Sequence, residues 1–145
     1  MSPQLLLWFK VVHIAGFVLW VAGLWAGLWL LKAHLAVDAA SRPAMVGVER
    51  KVGASMDAGA TLAMVAGFVL ALGGPINAFK TGGWLHAKLA VVVLGVLSIH
   101  GVIRVKMRKV RNGDLSPLPG WLTPVLLAAV AVIIALGAHP MLLRN

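Results

Sequence analysis

Eight ionisable side chains lie inside or at the edges of long apolar runs: Lys10, His13, His34, Asp57, His86, Lys88, His100 and His139. An ionisable group at membrane depth costs about 2.5–3.5 kcal/mol on insertion scales, so each needs a reason to be there. Neutral imidazole is a usual axial ligand of haem iron, and a helical bundle can hold a flat porphyrin between its helices. A lysine nearby can pair with porphyrin propionates or take a proton. This residue set points to redox chemistry on a porphyrin or a membrane electron carrier. Hydrolysis and phosphoryl transfer have no support, because the chain carries no Gly-x-Ser-x-Gly elbow, phosphate-binding loop or carboxylate-rich metal site. With no cysteine there is no thiolate metal site, and the scattered methionines form no ladder for copper(I).

Helical spacing sorts these groups. Lys10 and His13, at i and i+3, share a face one turn apart. His86 and His100 project from similar sides of one continuous α-helix, whereas Lys88 points almost opposite to His86, so one of His86 and Lys88 reaches out to the interface. Lys10 and His139 sit near span ends, where snorkelling accounts for them. Asp57 reads as a first-turn carboxylate complementing a helix dipole. Lys10, His13, His86, Lys88 and His139 form one layer, and His34, Asp57 and His100 a second layer near the opposite end.

The elements that must position them follow from composition. Of 145 residues, 61% are hydrophobic and only 12% charged, against roughly 45–50% and roughly 25% in soluble domains. Four stretches are long and apolar enough to cross a bilayer, at about 5–31, 54–72, 84–105 and 122–138. The expectation is an all-α integral membrane four-helix bundle, one domain over 1–145. The seven prolines avoid the span centres, and Gly73-Gly74-Pro75 with Gly82-Gly83 separates the second span from the third. The first span lacks the basic start and cleavage site of a signal peptide and is expected to stay.

A net charge of +9 suggests nucleic acid, but no base-reading motif accompanies it. The cations instead cluster by loop. Lys32, Arg42, Arg50 and Lys51 follow the first span, and Arg104, Lys106, Arg108, Lys109 and Arg111 close the third. The other side has Lys10, Lys80, Lys88 and Arg144. The positive-inside rule makes the basic loops cytoplasmic and both termini outward, in a bacterial cytoplasmic (inner) membrane with the lipid bilayer as partner. Trp8, Trp84 and Trp121 mark interfaces. Gly23-x-x-x-Gly27 permits close helix approach and a homo-oligomer through the first span.

Four motifs in order carry a family resemblance: Lys10-Val-Val-His13; Trp20-Val-Ala-Gly23-Leu24 ending in His34; Val48-Glu49-Arg50; and Trp84-Leu-His86-Ala-Lys88 leading to His100. Together they resemble the HemJ-type protoporphyrinogen oxidases, which look related to CopD-like membrane proteins. The resemblance implies oxidation of protoporphyrinogen IX to protoporphyrin IX, with heme b as cofactor and a membrane quinone as electron acceptor. It implies His13 as axial ligand and Lys88 as the catalytic lysine, with Lys10 beside the cofactor. The second ligand is either His100, which is deeper, or His86, which shares a layer with His13. Two positions depart from the family pattern: Trp29 stands where an arginine is usual, and Leu122 where a glutamate precedes Pro124 by two residues. The alternative is a haem-binding electron-transfer or CopD-like accessory protein without the oxidase reaction.

Overall fold

The computed structural model describes residues 1–73, 79 and 83–142, with side chains to 137. Lys80, Arg144, the Gly74, Pro75 and Gly82 breakers and the His139 side chain lie outside the described residues. Among the described residues, four long helices make up the fold: α1 (Pro3–Ala36), α2 (Arg42–Gly73), α3 (Gly83–Arg111) and α4 (Leu122–Leu142). α1, α2 and α3 are long and apolar enough to cross a membrane, and α4 is apolar over Leu122–Gly137.

The helices outrun the apolar stretches that announce them. Hydropathy reports hydrocarbon thickness, whereas a helix ends where its caps and breakers end it. α1 is 34 residues long, roughly 50 Å at 1.5 Å per residue. It starts at Ser2-Pro3, where the Ser2 hydroxyl accepts from Leu5 N–H at 3.3 Å. α2 begins at Arg42, far ahead of the apolar stretch at 54, after a turn in which Asp38 accepts from Ser41 N–H at 3.0 Å. Asp57 therefore sits well inside α2 and is no first-turn dipole partner. Between α3 and α4, Lys106 Nζ is buried and donates to Ser116 Oγ at 2.7 Å. In the same loop, hydrogen bonds from Ser116 hold the Asp114 carboxyl below its usual pKa.

Glycines set the packing. α1 and α2 cross so closely that a Cβ at Gly59 would stand 2.5 Å from the Trp20 backbone nitrogen, and one at Gly16 would stand 2.6 Å from that of Ala63. Gly23 faces Met56, and Gly27 faces Met107 and Ile103. The glycines expected to bring two copies together thus bring α1 against α2 and α3 of the same chain. The core fills between them with Trp20, Leu24, Leu31, Met56, Ile99, Ile103, Met107 and Leu126. Trp8 and Trp29 stay on the outer surface.

α3 is not uniform. Val92–Leu97 is π-helical, and Ser98 Oγ donates to Val93 O at 3.1 Å. A π segment adds about one residue to a turn, shifting the phase of everything beyond it by roughly 100°. His86 and His100 consequently lose the common side expected of a regular helix. The first part of α3 packs on α4, and its last part, Ser98–Arg111, packs on α1 and α2. The two helix pairs are therefore joined mainly at the basic end, and His13 and Lys88 belong to the other end.

Candidate functional site

His13 lies half-buried on the face of α1 that meets α2. Small residues at four-residue spacing, Gly59, Ala63 and Gly67, give α2 a shallow groove there, and a Cβ at Gly67 would come within 2.9 Å of His13 Cε1. His13 Nδ1 lies 2.6 Å from the Ala63 carbonyl. A carbonyl only accepts, so Nδ1 carries the proton and the neutral ring keeps its lone pair on Nε2. Metal-bound histidines commonly have this arrangement, in which a second hydrogen bond fixes the tautomer and the ring plane.

Lys88 is half-buried on α3, and its Nζ lies 3.9 Å from where a Gly137 Cβ would stand on α4. At that distance an added Cβ would make only ordinary contact with the ammonium, so Lys88 lies beside α4 without depending on the glycine. The ammonium lies within electrostatic reach of His13. His86 is exposed, with Phe79 edge-on at 6.3 Å, and Lys10 is exposed as well. Of the layer proposed from sequence, His13 and Lys88 are half-buried on different helices, while His86 and Lys10 are exposed.

His100 has another set of neighbours. Trp20 Nε1–H donates to its Nδ1 at 2.8 Å, and its Nε2 lies 3.0 Å from Asp57 Oδ1. An indole N–H can only donate, so Nδ1 is the acceptor and Nε2–H is the donor to the carboxylate. Asp57 Oδ2 also pairs with Arg104 at 3.1 Å, and the guanidinium occupies the space a side chain at Gly53 would need. Both ring nitrogens of His100 are engaged, so iron ligation would require breaking one of these bonds. Sequence reading finds His100 and Asp57 but not their partners, because Trp20 reads as one tryptophan among several and Arg104 as a topology charge.

The third polar centre lies at the basic end. His34 is 2% exposed and Glu49 0%, with His34 Nδ1 2.8 Å from Glu49 Oε1. Glu49 Oε2 is buried without a partner among the described residues. The sequence signal for this pair is faint: one glutamate and one histidine fifteen residues apart, across the α1–α2 turn. Removing one member of a buried pair typically costs about 3–5 kcal/mol, since the other is left desolvated and unpaired. Glu49→Ala is expected to destabilise by that amount and Glu49→Gln, which keeps an acceptor oxygen, by less. Equilibrium unfolding in detergent would show it, and equal losses for the two variants would contradict the pairing.

No group of three or more His, Asp or Glu side chains is placed to hold a metal ion among the described residues. A haem iron makes a smaller demand, one or two axial nitrogens, and a neutral imidazole with its Nδ1 hydrogen-bonded, as in His13, is the type of group that meets it. The two family departures fall apart in space: Trp29 is 64% exposed, and Leu122 is 1% exposed in the core.

The chain is 36% identical over 113 residues to protoporphyrinogen IX oxidases from Helicobacter pylori strains 26695 and J99; the match covers 73% of this chain and 72% of each relative. No family model matches the chain, and no solved structure matches it.

Proposed function

This chain belongs to the protoporphyrinogen IX oxidase family, and from that premise we propose that it oxidises protoporphyrinogen IX to protoporphyrin IX within a membrane. The observation that carries the reading at the level of the site is the geometry of His13, whose Nδ1 is held by the Ala63 carbonyl at 2.6 Å at the end of the bundle away from the basic loops. His13 is the residue that would hold heme b, through Nε2, with the Ala63 carbonyl fixing the ring. When bound, the haem supplies a one-electron carrier between the tetrapyrrole and its acceptor. Removal of six electrons and six protons from the substrate balances against reduction of three membrane quinones to quinols, the acceptor class in this proposal.

The residues have separable tasks. Lys88, held between helices, provides a cation for a propionate or, when neutral, a base for a proton leaving the macrocycle. The Gly59, Ala63 and Gly67 groove keeps the His13 ring against α2. The positive-inside rule supports an orientation in a bacterial cytoplasmic membrane with the basic loops in the cytoplasm and both chain ends outside. A second copy, where one joins, uses surface other than Gly23 and Gly27.

The test is growth rescue of a bacterium lacking its own protoporphyrinogen oxidase. Wild type is expected to rescue and Lys88→Ala, at equal abundance in the membrane, to fail. Wild-type protein that reaches the membrane and does not rescue would overturn the oxidase reading. Rescue by both would remove Lys88 from the mechanism.

A further inference from the structure

At the basic end, the turn between α1 and α2 and the last turn of α3 border an open pocket of about 290 Å³. His34, Arg42 and Arg111 line it, together with apolar groups such as Val46 and Val110. Neither arginine makes an ion pair among the described residues, and Arg42 Nε is buried with no acceptor. The two guanidinium groups thus bring two positive charges without an ion-pair partner to one pocket wall, which favours an anion beside them. Of the nearby carboxylates, Asp38 is bonded to Ser41, Asp114 to Ser116 and the flanking lysines, and Glu49 to His34 through Oε1, with Oε2 buried and unpartnered among the described residues; none of them is paired with Arg42 or Arg111. The first turn of the 32-residue α2 also borders the pocket, adding the positive end of a long helix dipole.

We propose that this pocket binds a phosphate-class anion between Arg42 and Arg111, with His34 completing the wall. The pocket is at the small end of ligand pockets, the size of a head group, and its lining at the basic end makes it separate from the site containing His13. Its depth narrows the sources. His34 lies just past Leu31, and Arg111 a turn and a half past Val105, about 5–9 Å beyond the apolar stretches at 1.5 Å per residue. That is head-group depth, open to a lipid phosphate and to free phosphate from the aqueous side. The guanidinium fork suits either oxyanion.

Two readouts separate the sources, both on the full chain. Protein released from vesicles of mixed phosphatidylglycerol and phosphatidylcholine is weighed by native mass spectrometry for retained phosphatidylglycerol. Protein in lipid-free detergent is titrated with inorganic phosphate at constant ionic strength while its Tm is followed. Retention of phosphatidylglycerol that falls about tenfold in Arg42→Gln and in Arg111→Gln, but not in Arg108→Gln, would establish a lipid head-group site; the tenfold corresponds to losing one charge-assisted hydrogen bond. A phosphate-dependent rise in Tm lost in the same two variants would establish a free-anion site. Arg108 shares the basic end without lining the pocket, so equal effects of all three variants would mean diffuse attraction and overturn the proposal. No effect of Arg42→Gln and Arg111→Gln on either readout would overturn it too. Arg42→Lys, which keeps charge and loses the fork, is expected to bind more weakly than wild type and more tightly than Arg42→Gln.

Discussion

His13→Ala is expected to strip bound haem from the purified protein, while His100→Ala leaves haem content and the Soret band in place. Both residues are membrane-embedded histidines on different helices, and composition treats them alike. Their hydrogen bonds do not. The Ala63 carbonyl takes the proton-bearing edge of His13 at 2.6 Å, so the other edge is a nitrogen lone pair in the neutral ring. His100 has no such edge to offer, with Trp20 donating to one nitrogen and Asp57 accepting from the other. Ligation through His100 would forfeit a hydrogen bond in a site where little water can replace it. Absorption spectra of wild type and both variants, recorded at matched protein concentration, check this. Haem lost from His100→Ala and retained by His13→Ala would reverse the assignment.

His100→Ala is not expected to be silent. It removes the acceptor of the Trp20 indole and one partner of Asp57, leaving the carboxylate to Arg104 alone. The expected signature is lower thermal stability with an unshifted haem spectrum, which separates a structural role from ligation.

How much of this was legible in the sequence depends on the type of signal. Apolar runs have one physical reading, and they yield α1 to α4, of which α1, α2 and α3 are long and apolar enough to cross a membrane and α4 is a shorter apolar helix over its described residues. Helix ends are a different matter. Residues 42–53 read as a polar loop by hydropathy, yet Val46, Glu49, Val52 and Gly53 fall at helical spacing and turn one face to α1 and α3. The π segment in α3 is built from Val92–Leu97, ordinary aliphatic residues with no marker for a widened turn. It alone undoes the expected alignment of His86 with His100. Residue types are enough to name His13 and Lys88 as candidates. The partner of His13 is a backbone carbonyl at Ala63, which has no sequence signature until the helices are placed.

The same glycine-to-alanine change at two places on α2 is expected to have opposite signs. Gly47 is exposed, with nothing within 4 Å of an added Cβ. Alanine there stabilises by about 0.5–1 kcal/mol, because glycine loses more backbone freedom in a helix. At Gly59 the added carbon would stand 2.5 Å from Trp20 N, 2.9 Å from Trp20 Cα and 3.0 Å from Gly16 O. All three are backbone atoms, so no rotamer change relieves the clash and the two helices must part. Overpacking typically costs about 1–3 kcal/mol, and the rigid contact puts Gly59→Ala at the upper end of that range or beyond. The consequence reaches the site, because His13 and Trp20 both hang on α1 beside this crossing. Separation lengthens the His13 bond to Ala63 and draws Trp20 from His100, so haem retention should fall along with stability. Unfolding of both variants in detergent, with haem absorbance followed in parallel, tests the pair. Matching stabilities would mean that α1 and α2 do not cross at this distance. A loss of stability without loss of haem would mean that His13 does not depend on the groove in α2 to hold its ligand.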